Sequence, residues 1–431
     1  MINNSRSYLF VTWEGGGNVP PVLGIARRMV ERGHDVRVLT EPCLRNTVEA
    51  LGARFVPFGR YFDREDCTQD IMGDWAARTP IGALRHTFDN VVFGPAPVVA
   101  EETRRAIESE RPDVVVVDHI MPGALVAAEA AGIPRVILFH TPEFLPGPGK
   151  PAAGSGFMPR EDVIGRARDR LFNQAFLRML DTYLPSFRQM HQEFGLPPIK
   201  SAADLIGHYH RADRRLILTS EAFDFPITPA PANARYVGPV LDDPQWSGEW
   251  ESPWTDRDKR PLVVASLSST FQNQRDALQR IIAALGALPV RGLVTTGPAM
   301  RGEQFDAPAN VVVVPAAPHS RVFPEAAAVI AHGGHGTVMR ALASGVPVLC
   351  LPMGRDQDDN AARAVAHGAG LRLKRSARPE HIAAAVQRLV AEPGFRENAR
   401  RLCRIIEADA TAGRAIEELE TVGLESRTPA F

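Results

Sequence analysis

Short, uninterrupted valine- and isoleucine-rich runs recur along this chain, each bounded by turn residues and separated by helix-like stretches. Tyr8 to Thr12, Val36 to Thr40, GARFVPF, PDVVVVDH (Val114 to Val117) and IPRVILFH occupy the first half. A strand that is apolar at every position must be buried on both faces, which a parallel sheet covered by helices provides. Helical segments lie between them, from Val22 to Val30 and around Gly123 to Ala131. From about Val237 to Pro261 the pattern lapses into VGPVLDDPQWSGEWESPWTDRDKRP, aperiodic and rich in Pro, Asp, Gly and Trp, the composition of a linker. It restarts in PLVVASLS, GLVTTG, NVVVVP, AVIAHGG and PVLCLP. Two such arrays in 431 residues predict an α/β protein of two facing Rossmann-like domains with a cleft between them. The expected division is 1–236, a linker at 237–260, 261–395, and a charged helical segment at 396–431.

Composition removes several function classes. A net charge of −1 leaves no basic footprint for nucleic acid. No apolar stretch reaches the roughly 18 residues of a membrane span. The start, MINNSRSYLFVTW, has no basic segment leading an apolar run, so no signal peptide is expected. Cys43, Cys67, Cys350 and Cys403 stand far apart without a C-x-x-C pair, which predicts neither a zinc ribbon nor a disulfide framework and fits a reducing cytoplasm.

Ligands in open parallel sheets bind beyond the carboxyl ends of the strands, so the loops there carry the chemistry. The first is EGGGNVPP, Glu14 to Pro21. A dinucleotide fingerprint would need glycine where Pro20 stands, the acidic Glu41 is only a loose match to its ribose-holding residue, and no G-K-[ST] follows. The turn therefore predicts a close backbone approach before a proline-started helix. The second is AHGGHGTVMRALASGVPVLCLPMGRDQDDNAA, Ala331 to Ala362. Its glycines let backbone approach a ligand, and Thr337 falls near a helix N-terminus, where free N–H groups and the helix dipole favour an anion. His332 and His335 add donors or charge for a diphosphate; as zinc ligands they lack a third partner. Asp356 and Gln357 follow the next strand, and a carboxylate beside an amide suits the vicinal hydroxyls of a sugar.

The HGGHGT…GVPVLCLP…RDQ block resembles the donor signature of nucleotide-sugar-dependent glycosyltransferases of the GT-B fold, in the bacterial natural-product branch of the UDP-glycosyltransferase superfamily. The likeness extends over RGHDVRVLT, PDVVVVD and the linker. It implies a diphosphate held by His332, Gly334, His335, Gly336 and Thr337, with Ser268, Ser269 and Thr270 of SLSST donating to the phosphates, Ala317 at the donor site, and a sugar held by Asp356 and Gln357. Two departures stand out: Ala316 and His319 replace the family's Trp and Gln near the nucleobase, and Arg340 replaces an acidic ribose contact. The implied reaction is inverting, metal-independent transfer of a hexose from a UDP- or dTDP-sugar to a small hydrophobic acceptor. No cofactor beyond that co-substrate is implied, and a homodimer is compatible.

The same family places a catalytic histidine where this chain has Asn18, in Gly17-Asn18-Val19-Pro20-Pro21, steadied by an aspartate that Asp118 matches. An amide takes up no proton at neutral pH, so Asn18 positions an acceptor at most. Another base (Asp118, His119, His140 or Glu14), an acceptor that is already acidic, attack through an aromatic carbon, or dependence on a partner each accommodates the change. A nucleotide-sugar epimerase of the same fold and a noncatalytic, base-deficient homologue are the competing functions. For the acceptor the sequence offers aromatic residues of 61–93 and 139–158, with Trp75, Phe88, His140 and Phe144 foremost, around the Pro/Gly-rich PGPGKPAAGSGF, expected to be mobile. His208 and His210, in GHYHRADRR, read as a solvated face or loop.

Overall fold

The computed structural model describes residues 5–147, 150–226, 230–255 and 257–425. The first sheet contains β1 (Ser7–Val11), β2 (Asp35–Thr40), β3 (Arg54–Pro57), β4 (Val114–Asp118), β5 (Arg135–Phe139), β6 (Arg214–Ile217) and β7 (Ala234–Tyr236). They run parallel in the order β3-β2-β1-β4-β5-β6-β7. The second contains β8 (Leu262–Ser266), β9 (Arg291–Thr295), β10 (Val311–Val314), β11 (Ala326–Ala331), β12 (Val348–Cys350) and β13 (Gly370–Arg372), parallel in the order β10-β9-β8-β11-β12-β13. The continuous apolar runs are buried on both faces, as their composition requires: Val114 to Val117 are at most 1% exposed.

In each sheet the order reverses once, between β1 and β4 and between β8 and β11. These switch points open crevices at the strand carboxyl ends. The turn after β1, Asp118 and His119 at the end of β4, and His140 after β5 therefore face the loops after β8, β11 and β12.

The tail joins the two halves. The helix Pro393–Thr411 buries Ala399, Leu402 and Ile406 in the second domain. Gly413, at φ +72°, turns the chain into the helix Arg414–Glu425. That helix lays Ile416, Leu419 and Val422 on the apolar cluster of Tyr8, Phe10 and Val38. Tyr8 Oη donates to Leu419 O at 3.2 Å, and Arg32 and Arg214 pair with Glu420 and Glu418, each at 2.9 Å.

Two expectations are corrected here. Cys43 and Cys67 form a disulfide with Cα atoms 5.5 Å apart, because the segments that follow the paired strands β2 and β3 run side by side. His208 is not on a solvated face: it is 1% exposed on the helix Ala202–His210, between His191 Nε2 (2.8 Å) and Glu129 Oε2 (2.8 Å). Its neighbour His210 is exposed. Among the described residues no helix is long and apolar enough to cross a membrane.

Candidate active site

The glycine turn after β1 is held from below by a buried ion pair. Glu41 Oε1 accepts the Glu14 N–H at 2.9 Å, and Arg64 Nη2 donates to Glu41 and to Glu14 O, both at 2.6 Å. Glu41 is thereby a brace for the loop. Gly16, at φ +80°, meets the second domain, where a Cβ would lie 2.5 Å from Ser269 Oγ and 2.8 Å from Thr270 Cγ2. Only glycine fits both the dihedral and the space.

Asn18 heads the helix Val19–Glu31, yet its side chain caps nothing. It is 3% exposed and turned inward. Its Oδ1 accepts the Gly15 N–H at 3.0 Å, while Nδ2 donates to Trp13 O and Asp118 Oδ2, both at 2.8 Å. Thr12 Oγ1, a residue the sequence reading passed over, donates to the same Asp118 oxygen at 3.0 Å. The other oxygen, Oδ1, accepts the Ile120 N–H at 3.3 Å and faces His140 Nε2 at 3.3 Å and His119 Nδ1 at 3.5 Å. Burial pushes the Asp118 carboxyl up, but His140, His119 and the Asn18 amide together hold it down at about 2. His119 is 5% exposed, stacked on Phe139 at 5.1 Å, and burial lowers it to about 3. Asp118, His119 and His140 bring ligand-type atoms within 4.8 Å of one another. The carboxylate and His119 Nδ1 also serve backbone partners, Ile120 N and Leu138 O, so the cluster is read as a hydrogen-bond network.

On the opposite rim, Gly334 starts the helix His335–Ala343, so the backbone N–H groups near Gly336 and Thr337 point into the cleft. His332 Nδ1 is buried without a partner, and burial with the nearby Arg355 lowers its imidazole to about 3. It is therefore a neutral donor or acceptor and not a cation. His335 is also held neutral by burial, and its Nε2 meets Thr219 Oγ1 of the first domain at 3.0 Å. Ser268 Oγ lies 3.1 Å from Thr270 Oγ1, and Gln274 Nε2 donates to the Ser268 and Thr270 carbonyls, stiffening the loop. Ala317 is buried. His319 stacks on Phe323 at 4.1 Å with Nε2 on Ser266 Oγ at 3.1 Å. Arg340 turns to the Leu241 and Asp242 carbonyls of the linker.

Asp356 precedes the helix Gln357–Ala366 and shares Oδ2 with Asn360 Nδ2 at 2.8 Å, with burial raising its pKa. Gln357 is satisfied internally, accepting the Met353 N–H at 2.7 Å and donating to Gln272 at 3.0 Å. Arg355, which the sequence reading quoted but gave no role, adopts φ +60° and bridges the domains. It forks onto Asp74 at 2.8 and 3.0 Å and donates to Thr270 Oγ1 at 2.8 Å.

Of the acceptor-side residues, Trp75 lies edge-on to Phe271 of the second domain at 5.0 Å and is 40% exposed. Phe88 is packed among Phe93, Phe176 and Tyr183. Phe144 lies against His119 and Tyr209. Pro148 and Gly149 of the Pro/Gly-rich loop lie outside the described residues; beyond them, Gly154 and Gly156 donate to the Asp359 carboxylate of the second domain at 2.6 and 2.8 Å. A cavity of about 10 Å³, roughly one water, lies between Gly17, Pro21 and His140 on one side and His335, Gly336 and Met339 on the other.

Two parallel α/β domains facing across a cleft, with a helix N-terminus on one rim and a carboxylate–imidazole cluster on the other, share the GT-B fold of solved glycosyltransferases. The chain belongs to the UDP-glucoronosyl and UDP-glucosyl transferase family, whose model matches residues 21–412. It is 30% identical to 4'-demethylrebeccamycin synthase of Lentzea aerocolonigenes over 410 residues, 91% of this chain and 94% of that one. A zeaxanthin glucosyltransferase of Pseudescherichia vulneris is 26% identical over 85% of this chain and 86% of its own. In fold it resembles the kitacinnamycin glycosyltransferase, with TM-score 0.75 and 24% identity over 97% and 99% of the two chains. It is similarly close to the calicheamicin glycosyltransferase, with TM-score 0.72 and 22% identity over 99% and 100%.

Proposed function

We propose that the protein transfers a hexose from a UDP- or dTDP-linked sugar to a small, largely apolar acceptor, with inversion at the anomeric carbon and without a metal. One observation carries this reading: the amino end of His335–Ala343 and His140 line opposite sides of one small cavity between the domains, with the Ser268–Thr270 loop and Asp356 in the domain of the first and Asp118 buried behind the second. Helix N–H groups and hydroxyls suit a diphosphate, Asp356 suits sugar hydroxyls, and an acceptor between the walls would attack from the face opposite the leaving group. Preorganised donors of this kind stabilise departing charge without a cation. The name of a similar chain, the zeaxanthin glucosyltransferase of Pseudescherichia vulneris, supports the acceptor class. The test is release of nucleoside diphosphate from UDP- and dTDP-glucose with a panel of phenols and indoles, with the product anomer read by proton NMR. A β-glucoside from the α-linked donor is expected; an α-glucoside would refute inversion, and no release with any acceptor would refute the reading.

A further inference from the structure

We propose that His140, backed by Asp118, is the general base of this reaction. The inference rests on the sugar-transfer reading and names the group that takes the acceptor proton. Among the polar groups around the turn, His140 alone combines a carboxylate behind it with the cleft in front. Asn18 spends both its amide atoms inside the protein. Asp118 is 1% exposed and its oxygens already accept from Thr12, Asn18 and Ile120. His119 is stacked in the core, with its backbone carbonyl taken by Tyr209 Oη at 2.8 Å. Glu14 folds back onto the Gly16 N–H at 2.6 Å and does not border the cavity between the domains.

His140 follows β5 directly, borders that cavity with a side chain 13% exposed, and directs Nε2 at Asp118 Oδ1 over 3.3 Å. The contact is close but short of a formed hydrogen bond, and Nε2 has no other partner. Hydrogen bonds of this kind in an unliganded site commonly align only when substrate binds. With Nε2–H directed at the carboxylate, Nδ1 is left as the proton acceptor, and the carboxylate stabilises the imidazolium that forms. The charged and titratable groups around the ring are Asp118 and His119 behind it and His335, Arg340 and Asp356 across the cleft. The step balances as follows. The acceptor O–H or N–H bond breaks with its proton passing to Nδ1, the freed pair forms the bond to the anomeric carbon, and the bond to the diphosphate oxygen breaks with its pair on the leaving group.

The test compares wild type with His140→Ala and His140→Gln. Affinity for UDP and dTDP is measured by calorimetry. Diphosphate release from the glucose conjugates is measured with water, with 4-methoxyphenol, which is un-ionised in neutral buffer, and with 4-nitrophenol, which is largely ionised in mildly alkaline buffer. Nucleotide affinity should stay within about twofold of wild type. Rates with water and 4-methoxyphenol should fall about 10²- to 10⁴-fold, whereas 4-nitrophenol should lose less than about tenfold. Equal losses for both phenols would make His140 structural and overturn the proposal, as would undiminished rates. If wild type accepts neither phenol, hydrolysis by water decides on the same terms. Activity lost to a chelator and restored by zinc would make the cluster a metal site and also overturn it. Failure of wild type to bind either nucleotide would instead refute the functional reading beneath it.

Discussion

Gly16→Ala isolates the contact on which closure of the cleft depends. The substitution meets two penalties. At φ +80° an alanine occupies the left-handed region, a cost of about 1–2 kcal/mol. Its Cβ would also sit 2.5 Å from Ser269 Oγ and 2.8 Å from Thr270 Cγ2, atoms of the other domain. Relieving that overlap to ordinary contact requires the turn and the phosphate-facing loop to part by about 1 Å, and a displacement of that size in a reacting site costs about 100-fold in rate. Gly33→Ala is the control, since Gly33 has φ +87° and open space around its Cβ. Both variants should lose about 1–2 kcal/mol in urea unfolding, but only Gly16→Ala should lose turnover, by roughly 100-fold, with wild-type nucleotide affinity changed far less. Steady-state kinetics with a saturating nucleotide sugar read the difference. Wild-type turnover in Gly16→Ala would show that the approach of the turn to Ser269 has no part in the reaction.

Three further outcomes are expected. Burial raises the Glu14 carboxyl from 4.5 to about 7 against the Gly16 N–H and Arg64. Folding therefore favours its protonated form, a contribution complete below pH 4.5 and lost as pH rises through about 7, worth at most about 3 kcal/mol; Glu14→Gln should flatten that fall in unfolding curves taken from pH 4.5 to 8, and a parallel curve would refute it. Arg355→Ala and Asp74→Ala should each raise the KM for nucleotide sugar about tenfold, and the double variant should be no worse than Arg355→Ala, which already loses the bidentate contact to Asp74; additive losses would contradict this. Asp356→Asn should weaken binding of the nucleotide sugar by about 1.5–3 kcal/mol while leaving the free nucleotide unchanged, as a charged hydrogen bond to the sugar alone requires; equal weakening of both in calorimetry would place Asp356 elsewhere in the site.

The parts of this fold that could be read from sequence are those where composition follows from burial on both faces. β1 to β5 and β8 to β12 announce themselves as apolar runs. β6 does not, because its RRLI sequence begins with two arginines; Arg215 is nonetheless fully buried, donating to Glu143 Oε1 at 2.6 Å. β7 and β13 are three-residue edge strands with too little pattern to register. The burial of His208 is hidden from the sequence for the same reason as that of Arg215: a polar residue is buried through partners, here His191 and Glu129, that are remote in sequence. The disulfide likewise follows from the adjacency of β2 and β3 and from no motif.

At the site, the sequence identified which loops converge and that Asn18 is no base. It left four groups as equals in the base position. What separates them is orientation: Asp118 is turned inward, His119 is stacked, Glu14 folds back on its own turn, and His140 reaches the cleft. Arg355 stood in plain view beside Asp356, but its partner Asp74 lies 281 residues away, in the other domain.

Titration calorimetry of the wild-type chain with UDP and dTDP, repeated on Thr337→Val and His332→Ala, tests the account most directly. The account predicts one saturable nucleotide site per chain, weakened at least tenfold by each substitution while the fold persists. Absence of binding to either nucleotide, or affinity indifferent to both substitutions, would contradict a donor site at the head of the helix His335–Ala343.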